Sequence, residues 1–326
     1  MPLPEYLADV LQRETEKFGR SQLAKSAREL TDRYKSAPTS FAAPAIVGDA
    51  DRAAYLAVRF PATFAVNEHV FRELRRLAPE ATITSLLDLG AGPGTSLLAA
   101  TEIFPEIKKA TLLERDQRWL DLGKRLISAI PQLGERNIEW LRTDLRSGFS
   151  SLSHDVVIMS YALGELSAAD SETALRQAWN SAGQFLVIVE PGTPSGFGVV
   201  NRARTFLIGT GAHLLAPCPH SGECPMAIAG DWCHFSQRLQ RTAEHRQIKG
   251  GSLGYEDEKF SYLIASRAAL NPANARIVRH PRKHTGFLHL NLCTPAGLQV
   301  RTVTKSQKTA YKQARHAEWG DAWDMY

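Results

Sequence analysis

The sequence predicts an α/β fold in which helices precede a parallel sheet and a β-rich, basic region follows it. From residue 83 to residue 192, short apolar runs alternate with helical stretches, a rhythm typical of parallel strands joined by crossover helices. After residue 210, short strand-like runs and basic residues dominate. We therefore divide the chain into a helical region 1–79, an α/β core 80–210 and an extension 211–326.

The composition predicts a globular protein in a reducing compartment. Of the 326 residues, 44% are hydrophobic and 22% are charged, as in ordinary folded domains. No run approaches the ~18 apolar residues of a spanning helix, so we expect no membrane partner. The first residues lack the pattern of a secretory signal, and Glu5 and Asp9 argue against an organellar presequence. We expect the cytoplasm, where cysteines bind metals more often than they form disulfides.

Two helical stretches are predicted before the sheet and five strands within it. Residues 4–35 carry apolar side chains at helical spacing, up to Pro38, and residues 55–77 do so up to Pro79. The strands are predicted at SLLDLG (85–90), ATLLERD (110–116), IEWLRTD (138–144), DVVIMSYAL (155–163) and GQFLVIVEPG (183–192).

The elements predicted after the sheet are less regular. A helix is predicted at TPSGFGVVNRARTFLI (193–208), and residues 211–235 are predicted to be loop. Strands are predicted at 259–266, 275–280, 286–293 and 297–304, with a helix over 305–323.

A glycine-rich turn follows the first predicted strand. Gly90, Gly92 and Gly94 stand between that strand and the helix SLLAATEIF, where the chain must turn tightly and bring bare backbone against a ligand. Dinucleotide folds place the third glycine three residues after the second. Here the spacing is G-x-G-x-G, which favours S-adenosylmethionine over NAD.

Acidic residues at the strand ends extend this cofactor prediction. Glu114 ends the second strand, where a carboxylate can accept hydrogen bonds from both ribose hydroxyls. Asp144 ends the third strand, beside the expected adenine, and Asp88 lies in the strand that leads into the turn. In this order the motifs resemble those of class I S-adenosylmethionine-dependent methyltransferases, over roughly residues 80–200. The resemblance implies a Rossmann-like core.

The chemistry of a methyl acceptor stays open. Residues 158–166, where methyltransferases of this class orient the acceptor, contain neither an Asn-Pro-Pro-Tyr element nor a Pro-Cys nucleophile. Tyr161 and Glu165 are the candidate catalytic residues, and each is equally well explained by a structural role. Methyl transfer gains much of its rate from alignment and exclusion of water, so a dedicated base is not required.

Four cysteines suggest a metal site. Cys218, Cys224 and Cys233 fall in one short segment, and Cys293 follows sixty residues later. These spacings differ from the C-x₂₋₄-C knuckles of structural zinc. Four thiolates also suit an iron–sulfur cluster, and two of the cysteines precede prolines. Zinc and iron–sulfur remain alternatives, with His220 and His234 as substitute ligands.

The extension is basic and almost free of acids. From Lys259 to Ala317 there is no Asp or Glu, whereas solvated surfaces normally mix both signs. A surface of this kind suits a phosphate backbone. The candidate RNA-binding residues are Arg279, Arg282, Lys283, Arg301, Lys305, Lys308 and Lys312.

Together these motifs resemble one family, the methyltransferase-like assembly factors of the small ribosomal subunit, known from mitochondria and with bacterial relatives. The match is carried by LDLGAGPG (87–94), VEPGTPSGF (189–197), the block PCPH…CP…WCHFSQ (217–237) and RHPRK…G…L…C (279–293). It covers roughly residues 50–320. The resemblance implies S-adenosylmethionine at the glycine turn, a [4Fe–4S] cluster on the four cysteines, and contact with small-subunit ribosomal RNA.

Two functions are therefore expected. The first is an iron–sulfur, S-adenosylmethionine-binding methyltransferase-like protein that acts on or docks to small-subunit ribosomal RNA. The alternative is a non-catalytic RNA-binding assembly factor that keeps the cofactor site and a structural metal site. The sequence leaves open both the oligomeric state and whether methyl transfer occurs.

Overall fold

The structure is a computed structural model that describes residues 3–36, 46, 48–150, 152–241, 248 and 254–324. Its N-terminal helices are α1 (Glu5–Thr15), α2 (Arg20–Ser36), α3 (Asp49–Val58) and α4 (Phe60–Leu77). The single helix predicted over residues 4–35 is therefore two helices. The break falls at a turn ending in Gly19, a residue that weakens a helix interior. None of the helices in the described part of the chain is long and apolar enough to span a bilayer.

The predicted alternation of strands and helices is confirmed in the core. In chain order its elements are β1 (Ser85–Leu89), α5 (Thr95–Ile103), β2 (Lys109–Glu114), α6 (Gln117–Ser128), β3 (Asn137–Arg142), β4 (His154–Ser160), α7 (Ala168–Ser181), β5 (Ala182–Pro191) and α8 (Pro194–Gly209). Strands β3, β2, β1, β4 and β5 lie side by side and are parallel. Most residues of β1, β2, β4 and β5 are apolar and buried, whereas the edge strand β3 is partly exposed.

Three further strands complete this sheet, namely β6 (His213–Ala216), β7 (Phe235–Gln240) and β8 (Tyr255–Ser266). Strand β8 pairs antiparallel with β5, β6 and β7. The strand predicted at 259–266 thus belongs to the central sheet. The loop predicted at 211–235 is wrong at β6 and at the short helix α9 (Pro225–Ile228), because Leu214, Leu215 and Met226 are buried.

The remaining residues form a second, smaller sheet. Its elements are β9 (Ala275–Ile277), β10 (Arg282–His284), β11 (Phe287–Thr294), β12 (Gly297–Thr304), α10 (Lys308–His316) and β13 (Ala322–Trp323). The strand order is β10, β11, β9 and β13, with β12 also paired to β11. The helix predicted over 305–323 ends at His316, because the chain turns back and buries Trp323 beside β9. The α/β Rossmann-like methyltransferase fold with a β-rich C-terminal region is confirmed.

Arg276 of β9 joins the two sheets and an N-terminal helix. Its side chain is only 2% exposed. The Nε donates to the carbonyl of Pro217 at 3.1 Å and Nη1 donates to the carbonyl of Gly320 at 2.9 Å. The Nη2 donates to Glu73 Oε1 of α4 at 2.6 Å. Burial opposes ionisation of Glu73, but Arg76 and Arg276 outweigh it and lower the pKa of Glu73 to about 2.

We predict that Arg276→Met destabilises the fold strongly. The substitution leaves the Glu73 carboxylate without its buried partner, a change that costs about 3–5 kcal/mol. The measurement is the free energy of unfolding in urea. Arg76→Gln is the matched control, because it removes the half-exposed partner of the same carboxylate and should cost about 1 kcal/mol or less. Equal losses in the two variants would contradict the role given to Arg276.

Candidate functional site

The glycine turn adopts the backbone conformation that requires glycine. Gly90, Gly92 and Gly94 have φ values of 79°, 53° and 85°, which side chains with a Cβ rarely adopt. A Cβ on Gly90 would lie 2.7 Å from the Cβ of Ala162, whereas one on Gly92 would meet nothing within 4 Å. The space that a side chain would need is therefore filled at Gly90 and open at Gly92. Helix α5 begins directly after the turn, so its N-terminal amides favour an anionic group there.

Glu114 is bound to the turn itself. One carboxylate oxygen accepts from the backbone N–H of Gly92 and the other from that of Asp116, both at 2.9 Å. Burial raises the pKa of Glu114 although these N–H groups oppose the rise. Besides the ribose contact predicted from the sequence, this carboxylate positions the glycine turn. No local sequence pattern indicates that second role.

Asp144 is already engaged by a neighbouring side chain. Arg146 Nε lies 3.0 Å from both carboxylate oxygens, and the Arg146 backbone N–H donates to one of them at 3.0 Å. These hydrogen bonds lower the pKa of Asp144. The predicted contact of Asp144 with adenine would have to share the carboxylate with this guanidinium.

Asp88 is buried beneath the turn without a hydrogen-bond partner among the described residues. Its side chain is 1% exposed, and neither carboxylate oxygen is hydrogen-bonded in this part of the structure. Burial raises the pKa of Asp88 to about 7; the nearby Ser96 hydroxyl opposes the rise and the charge of Glu114 adds to it. An unpaired buried carboxyl of this kind is costly and is typical of functional sites.

Helix α3 contacts the loop after β2, which the sequence analysis missed. Tyr55 packs edge-to-face on Trp119, with the ring centroids 5.0 Å apart. Arg52 is buried and forms ion pairs with Asp49 at 2.9 Å and Asp116 at 3.7 Å. The only sequence signal is that Arg52 and Tyr55 share one face of an amphipathic helix. The N-terminal helices thus support the loop that carries the predicted ribose contact.

The end of β4 has the unusual geometry expected near reacting groups. Tyr161 has a φ of 56°, a strained value for a residue with a Cβ. Its hydroxyl is buried and lacks a hydrogen-bond partner in the described chain, and burial raises its pKa well above the ordinary value. Glu165 is exposed to solvent.

Glu190 is a further candidate that the sequence analysis did not select. It ends β5 and is 2% exposed, and its Oε1 accepts from the Gly164 N–H at 2.9 Å. Burial raises the pKa of Glu190 to about 8, and this N–H opposes the rise. A Cβ on Gly164 would lie 2.7 Å from Glu190 Oε2. Glu190 therefore fixes the loop between Tyr161 and Glu165. An acid at the end of an otherwise apolar strand was its available signal.

The four cysteines line one cavity between the core and the second sheet. The cavity lining includes Cys218, Cys224, Cys233 and Cys293, together with Arg204, His220 and Arg276. Cys293 reaches it from β11, where it is the register partner of Arg276. The other three thiols come from the segment between β6 and β7. About sixty residues separate Cys293 from the other three cysteines in sequence. The pairing of β11 with β9 helps to bring them together.

Cys224 and Cys293 are buried and Cys218 and Cys233 are half-buried, and burial affects the protonation of three of these thiols. It raises the pKa of Cys218, raises that of Cys233 well above its usual range and raises that of Cys293 to about 12. Within the described ranges, no three His, Cys, Asp or Glu side chains form a preformed metal-binding group. His220 Nε2 lies 3.8 Å from Cys293 Sγ, and the His234 ring stacks on Trp232 with centroids 5.1 Å apart.

Two buried arginines border the cavity. Arg204 is 4% exposed and donates through Nη2 to the carbonyls of His220, at 3.0 Å, and Gly222, at 2.5 Å. Its Nε is buried without a partner in the described part of the chain. Arg276 is the second of these residues. The cavity therefore combines four thiols with positive charge and one unused N–H group.

The basic candidates lie in the second sheet and its helix, but not all are exposed. Arg279 forms an ion pair with Asp231, beside the cysteine segment. Lys283 donates to the carbonyl of Arg315 at 2.8 Å. Arg301 is half-buried. The candidates exposed on the surface are Arg282, Lys283, Lys305, Lys308 and Lys312.

We predict that Asp88→Asn changes how stability depends on pH. Because the folded pKa of Asp88 is about 7 and the unfolded value is about 3.9, the wild type loses stability as pH rises between these values. Asparagine cannot ionise, so the variant should gain free energy of unfolding relative to wild type from about pH 4 to about pH 8. Urea unfolding across this range measures the difference.

Asp155→Asn is the control with the opposite sign. Burial opposes ionisation of Asp155, but hydrogen bonds from Thr84 and Gln184 outweigh it and lower its pKa. This variant should therefore lose stability relative to wild type as pH rises from about 3 to about 5. A pH-independent difference between wild type and Asp88→Asn would refute the buried, unpaired state of Asp88.

Comparison with known proteins identifies relatives over most of the chain. The human ribosome assembly protein METTL17, mitochondrial, is 29% identical over 82% of this chain and 61% of its own length. The mitochondrial ribosome assembly protein RSM22 of Saccharomyces cerevisiae is 21% identical over 73% of this chain and 61% of its own length. The chain therefore spans less than two thirds of the curated relatives it matches.

Two solved methyltransferase structures are similar to part of this fold. A putative RNA methyltransferase from Pyrococcus horikoshii matches with a TM-score of 0.42 and 14% identity, over 63% of this chain and 85% of its own. Magnesium protoporphyrin IX methyltransferase from Synechocystis, solved with bound S-adenosylmethionine, matches with a TM-score of 0.44 and 10% identity, over 73% of this chain and 91% of its own.

The family profile matches most of the chain. The profile described as mitochondrial small ribosomal subunit Rsm22 matches residues 49–324, which include α3, the glycine turn, all four cysteines and the second sheet. The chain therefore belongs to the Rsm22 family, whose curated relatives METTL17 and RSM22 are ribosome assembly proteins.

Proposed function

We propose that this protein binds S-adenosylmethionine and a [4Fe–4S] cluster, and that it acts in assembly of the small ribosomal subunit by docking on its RNA. The observation that carries the proposal is the cavity that gathers four cysteines from two separate parts of the fold. It lies between a methyltransferase-like core and a basic sheet in a chain of the Rsm22 family. The cluster would hold the core and the basic sheet together.

The cofactor part is supported by the turn between β1 and α5. The space above Gly92 is open, and Glu114 holds the Gly92 N–H in place. The ribose, adenine and methionine moieties would contact Glu114, Asp144 and the turn, with Asp88 below it. S-adenosylmethionine supplies an electrophilic methyl group when bound. The chain's own groups would orient it and exclude water.

The metal part is supported by the chemistry of the donors. Metal binding displaces the protons of thiols, and four thiols face one cavity, three of them with pKa values raised by burial. Four thiolates around an iron–sulfur core retain net negative charge, which the buried guanidinium of Arg204 would offset through its unused Nε–H. Zinc with four thiolates would be balanced in the same way and is the alternative metal.

The assembly part is supported by the relatives and by charge. Both METTL17 and RSM22 are named as ribosome assembly proteins, and residues 259–317 contain no acid. Methylation of RNA is the enzymatic form of the proposal. A non-catalytic assembly factor is the alternative, favoured by the absence of an Asn-Pro-Pro-Tyr element after β4. We further propose a reducing compartment, the cytoplasm being the expectation from the sequence, although the named relatives are mitochondrial.

We predict that Gly92→Ala abolishes S-adenosylmethionine binding. The added Cβ would occupy the space above the turn and force alanine to a φ near 53°. Gly211→Ala is the matched control, because Gly211 has a φ of 82° and equally open surroundings, yet lies after α8. Both should lose about 1–2 kcal/mol of stability. Calorimetric titration should show binding weakened at least about tenfold only in Gly92→Ala; equal affinities would contradict the site.

The Gly92→Ala variant also distinguishes the enzymatic form of the proposal from the non-catalytic alternative. If Gly92→Ala loses the cofactor and cells carrying it also fail to assemble small subunits, methylation or cofactor binding is required. If assembly continues normally, the non-catalytic alternative holds.

We predict that Cys218→Ser loses the cluster. Anaerobically purified wild type should contain iron and acid-labile sulfide and absorb visible light, and the variant should lose most of each. Met226→Leu is the control, because Met226 lines the same cavity and leucine keeps its volume. Wild type without iron would refute the cluster, and wild type with stoichiometric zinc would establish the alternative metal.

A further inference from the structure

Helix α10 covers one face of the second sheet. The other face is exposed to solvent at the end farthest from Cys293. Directly opposed residues of antiparallel strands project to the same side. The register places on the open side Arg282 and His284 of β10, Phe287 and His289 of β11, and Thr302 and Thr304 of β12. The alternate residues Leu288 and Leu290 point to the other side and are buried, where helix α10 packs through Ala310 and Ala314.

Three rings lie together on this open face. The His284 and Phe287 rings are stacked, with centroids 4.7 Å apart and an interplanar angle of 14°. His289 meets both edge-on, with its centroid 5.1 Å from that of Phe287 and 5.4 Å from that of His284. The ring of His289 is held by Thr302, whose Oγ1 lies 3.0 Å from Nδ1. His284 is exposed, and Phe287 and His289 are half-buried.

The charge around these rings is positive. Arg282 is the register partner of His289 and is exposed, whereas Lys283 pairs with Leu288 and therefore projects to the covered side. Lys305 is exposed directly after β12, and its backbone N–H bonds to the Gly286 carbonyl next to Phe287. None of the residues from 259 to 317 is acidic. Flat rings are therefore presented together with cations on one face.

We propose that His284, Phe287 and His289 form a base-stacking surface for an unpaired segment of RNA. This inference rests on the proposed docking to small-subunit RNA and names the part of the RNA that is recognised. Bases of a duplex bury their faces in their own stack, so rings on a sheet can engage only unpaired bases. The exposed cations would meet the phosphates, and stacking would tolerate different base identities.

The test measures binding of the full-length, metal-loaded chain to a labelled unpaired RNA oligonucleotide by fluorescence anisotropy. Phe287→Leu keeps an apolar side chain but removes the ring, and should weaken binding by about tenfold. Phe287→Trp should retain binding because it restores a ring. Val300→Ala is the control, since Val300 is 61% exposed on the same side of β12 but belongs to no ring contact described above.

Three results would overturn the inference. They are equal affinities of wild type and Phe287→Leu, equal losses in Phe287→Leu and Phe287→Trp, and wild-type affinity for a duplex that matches that for the unpaired strand. Co-sedimentation with small ribosomal subunits is measured in parallel. If the wild type co-sediments but Phe287 substitutions change nothing, the proposed function stands and the stacking surface is wrong. If the wild type binds neither subunits nor oligonucleotide, both fail.

Discussion

The buried guanidinium of Arg276 is the contact on which the arrangement of this protein depends. It binds a carboxylate of α4, the carbonyl of Pro217 and the carbonyl of Gly320, so three distant parts of the chain satisfy one charge. Pro217 precedes Cys218, and Arg276 is the register partner of Cys293. The same contact that joins the two sheets therefore brings the cysteines of each to one cavity. Without it, Glu73 would keep only the half-exposed Arg76, and the carbonyls of Pro217 and Gly320 would lose this donor.

This geometry explains why the proposed cluster is structural rather than catalytic. The cysteine cavity lies between the sheets, whereas the glycine turn and Tyr161 lie at the carboxyl ends of β1 and β4, the usual position of ligands in such sheets. Metal binding at the four thiols contributes folding free energy. In this account, that free energy orients the basic second sheet against the core, and the cofactor and the RNA contact remain separate sites of one molecule.

The sequence predicted the parallel core well, because apolar strands and the glycine spacing are local signals. It placed β8 in the extension, because the pairing of β8 with β5 is a long-range contact. It also predicted one helix over residues 4–35, where the structure has two. The cysteines could be selected by type and spacing, but the closure of the cavity by β9 and β11 could not. Glu190 and Arg204 were missed for a related reason. Their importance comes from burial without adequate partners, which no local pattern encodes.

The central claim is that a metal centre at the four cysteines holds the second sheet against the core. Amide hydrogen exchange of the metal-loaded protein and of protein treated anaerobically with a chelator tests it directly. The account predicts that metal removal increases exchange in residues 213–240 and 287–304, while β1, β4 and β5 remain protected. Indistinguishable exchange in the two samples, with the metal shown to be removed, would contradict it.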